Sequence, residues 1–175
     1  GHPLVIEADI INLHWIGKLI DYPSFFKNLD KPMVWTLHDM NPFEGIFHYQ
    51  IDKQKNTLAK KIDAQVFALK KKAVSTIKKG TIVSPSQWML DWEQSSSMFQ
   101  DFETHVCIPN SIGTSYLVCD KKVARNSLGI TLEERVLLFS AASFSNPRKG
   151  MDILVEALNS LSISITLLTL GKGTV

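Results

Sequence analysis

KPMVWTLHDMNPFEG, residues 31 to 45, is the stretch on which the fold turns. Pro32 introduces a short apolar run, Met33 to Leu37, with the length of a strand and no polar alternation. That is the pattern of a strand buried on both faces of a parallel sheet. The run stops on His38 and Asp39 and enters a loop containing Pro42 and Gly45. In parallel α/β sheets ligands bind outside the carboxyl ends of the strands, so this strand delivers its histidine to such a crevice.

The same alternation extends to both sides. Ala8 to Trp15 predicts a strand that again ends on a histidine, His14. Tyr22 to Leu29 predicts a helix, with Phe25, Phe26 and Leu29 at helical spacing. Residues 57 to 79 predict one long helix closed by Gly80, with Leu58, Ile62, Val66, Leu69, Ala73 and Ile77 on its apolar face and lysines between them. Thr81-Ile82-Val83 is a third strand, and Ser86 is placed to cap the helix that follows it. Thr104 to Ile108 is a fourth strand, stopped by Pro109. Beyond an irregular stretch at 110–119 come a helix at 121–128, a strand at 135–140, a helix at 151–161 and a strand at 163–170. Strand and helix alternate throughout, which predicts the α/β class: Rossmann-like parallel sheets with flanking helices on both faces. The irregular stretch separates an expected first domain, residues 1–113, from a second, residues 120–175.

Bulk properties narrow the function classes. The 175 residues, 45% of them apolar, suffice for a real core, and a formal charge of +2 gives no reason to expect nucleic acid as a partner. Nine lysines lie between Lys53 and Lys79, with Asp63 the only acid among them. Such a run is either a solvated helix side or an attraction to an anionic surface or ligand. Cys107 and Cys119 are too few for a disulfide framework or a zinc site, and read as ordinary buried residues of a reducing compartment. No apolar run approaches the ~20 residues that span a bilayer, and no leader pattern opens the chain, so the expected location is cytoplasmic. His2, His14, His38, His48 and His105 are scattered, and no metal or cofactor is assigned.

Three groups could carry chemistry. His38 can donate to a hydroxyl or a phosphate oxygen, or it can be a turn histidine satisfied by backbone. Its neighbour Asp39 is not expected to pair with it, because adjacent strand residues face opposite ways. Asn146-Pro147-Arg148-Lys149-Gly150 precedes a helix, and a helix N-terminus flanked by cations suits phosphate; a charged loop is the plainer reading. Gly171-Lys172-Gly173 follows a strand and is either a glycine-rich ligand turn or a tight turn alone.

Taken in order, DIINLHW (9–15), KPMVWTLHDMNPFEGIFHY (31–49), IVSPSQWM (82–89), IPNSI (108–112), ARNSLGI (124–130) and RKGMDILVEAL (148–158) resemble the signature stretches of family 4 of the glycosyltransferases. The nearest flavour is the bacterial branch that builds capsular and other surface polysaccharides. The resemblance runs from about Ala8 to Gly173 and implies the GT-B architecture, two Rossmann-like domains facing across a cleft. It implies retaining transfer of a hexosyl unit from a UDP- or GDP-sugar to a glycan or lipid-diphosphate acceptor, without a divalent metal. On this resemblance His38 lies beside the donor sugar and phosphate. Lys149, with Arg148 and Gly150, contacts the donor diphosphate, and Gly171 and Gly173 lie near the nucleotide. The acceptor side is His14, Trp15 and Asp39, with Met40 and Gly45 on the wall made by residues 40–49. The Lys53–Lys79 segment becomes a peripheral contact with anionic headgroups on the inner membrane face.

The resemblance also places a paired-glutamate motif well beyond Val175, and so implies a chain about twice as long. Ser143 stands where the family often has a second cation, Ser111 where its hinge motif has a glycine, and Gly113 where it has an acid. Two further readings follow. One is a non-catalytic sugar-nucleotide or anion-binding module, and the other is a membrane-associated partner subunit that uses the lysines.

Overall fold

The structure is a computed structural model that describes residues 2–174 apart from Asn28, Lys78, Ser115 and Leu117. The chain divides into two compact units, Gly1–Ile112 and Gly113–Val175. The first contains, in order, α1 (Pro3–Glu7), β1 (Ile11–Leu13), α2 (Tyr22–Lys27), β2 (Met33–Thr36), α3 (Gln50–Lys55), α4 (Lys60–Val74), β3 (Gly80–Ser84), α5 (Gln87–Ser95) and β4 (Thr104–Cys107). Its sheet has the order β1-β2-β3-β4, with every neighbouring pair parallel. The α/β class with parallel strands is therefore as the alternation predicts.

Coverage of the sheet differs from the expectation. Strands added in one direction through right-handed crossovers put all their helices on one face. Side chains on that face are sealed: Ile11, Leu13, Met33, Trp35 and Ile82 are buried with Phe26 of α2, Val74 of α4, Met89 of α5 and Phe99. Trp35 is the hub, its ring 5.7 Å from Phe26, 5.9 Å from Tyr22 and 5.5 Å from Phe99. Of the alternate residues Val83 is buried, Val34, Thr36 and Thr81 are half-buried, and Asn12 and Thr104 are exposed. An apolar strand run thus overstated its burial, because Val and Thr favour strands on either face.

The largest correction concerns the lysine segment. It is not one helix. It is α3, a 3-10 turn at Thr57–Ala59, and α4, which ends at Val74; Gly80 opens β3. Only part of the predicted apolar face is buried: Ala73 and Ile77 are, but Leu58, Ile62 and Leu69 are 94%, 55% and 50% exposed, and Asp63, Lys70 and Val74 are buried instead. The buried stripe 63, 70, 74 is at helical spacing too, and carries two charges because the loop it faces offers them partners.

The second unit contains α6 (Lys121–Ser127), β5 (Val136–Ser143), α7 (Met151–Asn159) and β6 (Thr166–Lys172), with β5 and β6 parallel. Ala141, Phe144 and Met151 form its small core, against Phe139, Leu154 and Val155. Asp120 caps α6, its carboxylate accepting from the amides of Lys122 and Val123. Glu134 anchors the start of β5 by accepting from Thr131 N at 2.8 Å and Thr166 Oγ1 at 2.9 Å. Cys107 is half-buried and Cys119 exposed, so the expected burial of both thiols does not hold.

Candidate functional site

Residues just past the carboxyl ends of β1 and β2 converge. Pairing of Leu13 with Trp35 sets the two strand ends side by side. His14, Trp15, His38, Asp39 and Asn41 line one recess with Tyr22 and Pro42. His14 Nδ1 and His38 Nε2 are 3.0 Å apart, so one ring donates to the other. His38 is therefore not satisfied by backbone, as its plainer reading had it, but by a second imidazole, which leaves its Nδ1 edge for another partner. Both rings are exposed.

Asp39 makes no bond to His38, although both line the recess, and organises the loop instead. Its carboxylate accepts from Asn41 N at 2.9 Å, from Trp15 Nε1 at 3.2 Å and from His48 Nδ1 at 2.7 Å. The His48 ring stacks on Trp15, centroids 6.3 Å apart. Asp39 is buried, with three donors to compensate it, while His48 stays half-exposed. Tyr22, deep in the same region, has its phenol pushed well above its ordinary value by burial, and further by the charge of Asp39.

Below the loop lies Lys70, a residue that sequence reading assigned to the solvated basic face. It is 6% exposed. Its ammonium donates to Gly45 O at 2.6 Å, Asn41 O at 2.8 Å, Asn41 Oδ1 at 3.1 Å and Glu44 O at 3.2 Å. It also lies 5.2 Å from the centre of the Tyr22 ring. Burial pulls its pKa down to about 8, against the opposing pull of Asp63, Asp39 and Glu44. Asp63, two α4 turns earlier, accepts from Ile46 N at 2.8 Å and pairs with Lys53 Nζ at 3.2 Å. Together Asp63 and Lys70 clamp residues 41–46 onto α4.

Two expected wall residues do not face a ligand. Met40 is 1% exposed and part of the core, because the 3-10 turn Asn41–Phe43 folds it inward. Gly45 is buried against α4. His14, Trp15, His38 and Asp39 are brought together in the recess.

In the second unit, Pro147–Lys149 forms a 3-10 turn whose Asn146 side chain accepts from Arg148 N at 3.1 Å. Gly150 follows at φ 73°, a left-handed conformation that favours glycine, and starts α7. Arg148 and Lys149 therefore flank the N-terminal end of a nine-residue helix. Ser143 has its hydroxyl 2.8 Å from that of Ser145. Gly171 does not follow the last strand but lies within β6, paired with Ala141; a Cβ there would come within 1.8 Å of Ala141 O. Its glycine is explained by this close approach of β5, and Gly173 at φ 118° makes the turn beyond. Ser111 is not at positive φ, so its backbone does not require a glycine.

Among the described residues no group of three or more His, Cys, Asp or Glu side chains is arranged to hold a metal ion. No helix among them is long and apolar enough to cross a membrane. No protein-family model matches the sequence. No curated protein matches it either. The fold and recess define an α/β protein with a histidine-bearing recess at its strand ends.

His48 and Lys70 were the site residues missed from the sequence. The pairing of His48 nine residues back to Asp39 exists only once the loop closes.

Proposed function

We propose that the protein works as a retaining glycosyltransferase that moves a hexosyl unit from a UDP- or GDP-sugar to a glycan or lipid-diphosphate acceptor. The observation that carries this reading is the convergence of His14, Trp15, His38 and Asp39 in one recess at the ends of β1 and β2. His38 presents a ring edge for the donor, and Trp15 offers an aromatic surface of the kind sugar rings pack on. In the second unit, Lys149, Arg148 and the amide groups at the start of α7 support a diphosphate contact. Their positive charge would offset the negative charge that grows on the leaving diphosphate. Gly171 and Gly173 keep the neighbouring backbone bare of side chains on the nucleotide side of this reading.

Calorimetric titration with UDP-glucose and GDP-mannose tests it. One donor is expected to bind, and Lys149→Ala to weaken it about tenfold or more, the loss of a charge-assisted contact. His38→Ala is expected to abolish slow release of free nucleotide while leaving donor bound. Binding of neither donor, or indifference to Lys149→Ala, would overturn the reading. Ser143, a hydroxyl in place of a cation, favours the second reading, a non-catalytic sugar-nucleotide module; donor binding with no nucleotide release would identify it.

A peripheral membrane contact, on this reading, would use the outer side of α4. Lys60, Lys61 and Lys72 are exposed there beside Leu58, Ile62 and Leu69, whereas Lys70 is buried and Lys53 is held by Glu44 and Asp63. Co-sedimentation with phosphatidylserine-containing vesicles is expected at low salt and should fall away at about 1 M salt, where the Debye length is ~3 Å. Binding equal on neutral vesicles would remove the electrostatic part of the proposal.

A further inference from the structure

We infer that the first unit carries a second binding site, a cleft for a neutral sugar ring, distinct from the His14–His38 recess. The cleft has a volume of about 460 Å³, within the range of small-molecule sites, and shares no lining residue with the recess. Its apolar wall is Phe43, Phe67 and Trp92, and its polar floor is Glu44, Lys53 and Asp63.

The chemistry of the lining selects the ligand. Two lysines, Lys53 and the exposed Lys60, face two carboxylates, so the cleft carries no net charge and gives an anion no advantage. A purely apolar ligand would bury charged groups without replacing their water, which opposes its binding. A pyranose ring meets both demands. Its C–H face packs on an aromatic surface, and its hydroxyls donate to carboxylates and accept from an ammonium. Trp92, 36% exposed, supplies the surface.

The floor is already in place. Lys53 Nζ bridges Glu44 Oε2 at 2.5 Å and Asp63 Oδ2 at 3.2 Å. Glu44 Oε1 is held by Gln50 Nε2 at 3.1 Å and Asp63 Oδ1 by Ile46 N at 2.8 Å. These bonds leave lone pairs on both carboxylates and a third N–H on Lys53. Ser96 and Ser97 add a hydroxyl-bearing rim, with Ser96 fixed by donating to Phe43 O at 3.2 Å. The polar groups are thus preorganised, which lowers the ordering cost of binding.

The inference needs only this cleft, so it stands or falls separately from donor binding and hexosyl transfer. The probes are methyl α-D-glucopyranoside, methyl α-D-galactopyranoside and methyl α-D-mannopyranoside, each titrated into the full ¹⁵N-labelled chain. At least one is expected to shift the Trp92 indole N–H and the amides of Ser96 and Ser97. Trp92→Ala should weaken that binding about tenfold, the ~1.4 kcal/mol equivalent of lost stacking. Ala64→Leu fills the cleft from an exposed position on α4 and should abolish the shifts without touching the core. Absence of shifts with all three glycosides overturns the inference. So does binding that survives Ala64→Leu, or sodium phosphate producing the same shifts at the same concentration.

Discussion

Lys70→Met is expected to lower the unfolding free energy by about 3 kcal/mol or more at pH 7, read from the denaturant midpoint at constant slope. Lys70 feeds three backbone carbonyls and the Asn41 side chain from one buried nitrogen. Methionine keeps the volume of the stem and removes every donor, so the carbonyls of Asn41, Glu44 and Gly45 lose their buried partner. Each such orphan costs about 1–3 kcal/mol, discounted here because the loop can relax toward water. The charge itself works in the other direction. With a folded pKa near 8, below its ordinary value of 10.5, the folded state sheds this proton before the unfolded state does. Between those two values the unfolded chain binds more protons, so stability rises with pH across that window, by on the order of 3 kcal/mol at most. The neutral amine still donates two hydrogens, so the clamp survives deprotonation. The rise should be present in the wild type and absent in Lys70→Met. A variant as stable as the wild type at pH 7 would show that the loop does not depend on this nitrogen.

Gly45→Ala acts on the same clamp from the opposite side, with an expected loss of about 3 kcal/mol or more. A Cβ at Gly45 would stand 2.0 Å from Asp63 O and 2.5 Å from Asp63 Oδ1. The nearest atom is helix backbone, which cannot swing aside as a side chain can. The loop must lift from α4, which breaks the Lys70–Gly45 bond and the Asp63–Ile46 bond together. Hydrogen exchange is the sharper readout, with the Ile46 amide losing protection first. Because both substitutions open one clamp, the double variant should lose less than the sum of the two, the sign of a shared interaction. A strictly additive double variant would mean that the two residues support the loop independently.

Much of the fold was legible because strand and helix signals are local. The strands expected at 33–37, 81–83 and 104–108 are found as Met33–Thr36, Gly80–Ser84 and Thr104–Cys107, and Ser86 caps α5 by accepting from Met89 N at 3.2 Å. The position of His14 and His38 at strand ends was equally local, and parallel pairing then brought them within hydrogen-bond distance. Which face of α4 is buried was not legible. Leu58, Ile62 and Leu69 make the more hydrophobic stripe, yet Asp63, Lys70 and Val74 turn inward. Hydrophobic periodicity weighs a lysine as always exposed. It cannot register acceptors that a loop some 25 residues away will supply, as Gly45 does here.

By itself the sequence determined the element types, the parallel α/β class and the delivery of two histidines to strand ends, because these depend on propensity and spacing within a few residues. Only the tertiary structure decided that Asp39 would serve His48 and Trp15, that Met40 would be core, and that Lys70 would be buried. Those outcomes depend on where polar groups distant in sequence find partners once water is excluded, and no local pattern contains that balance.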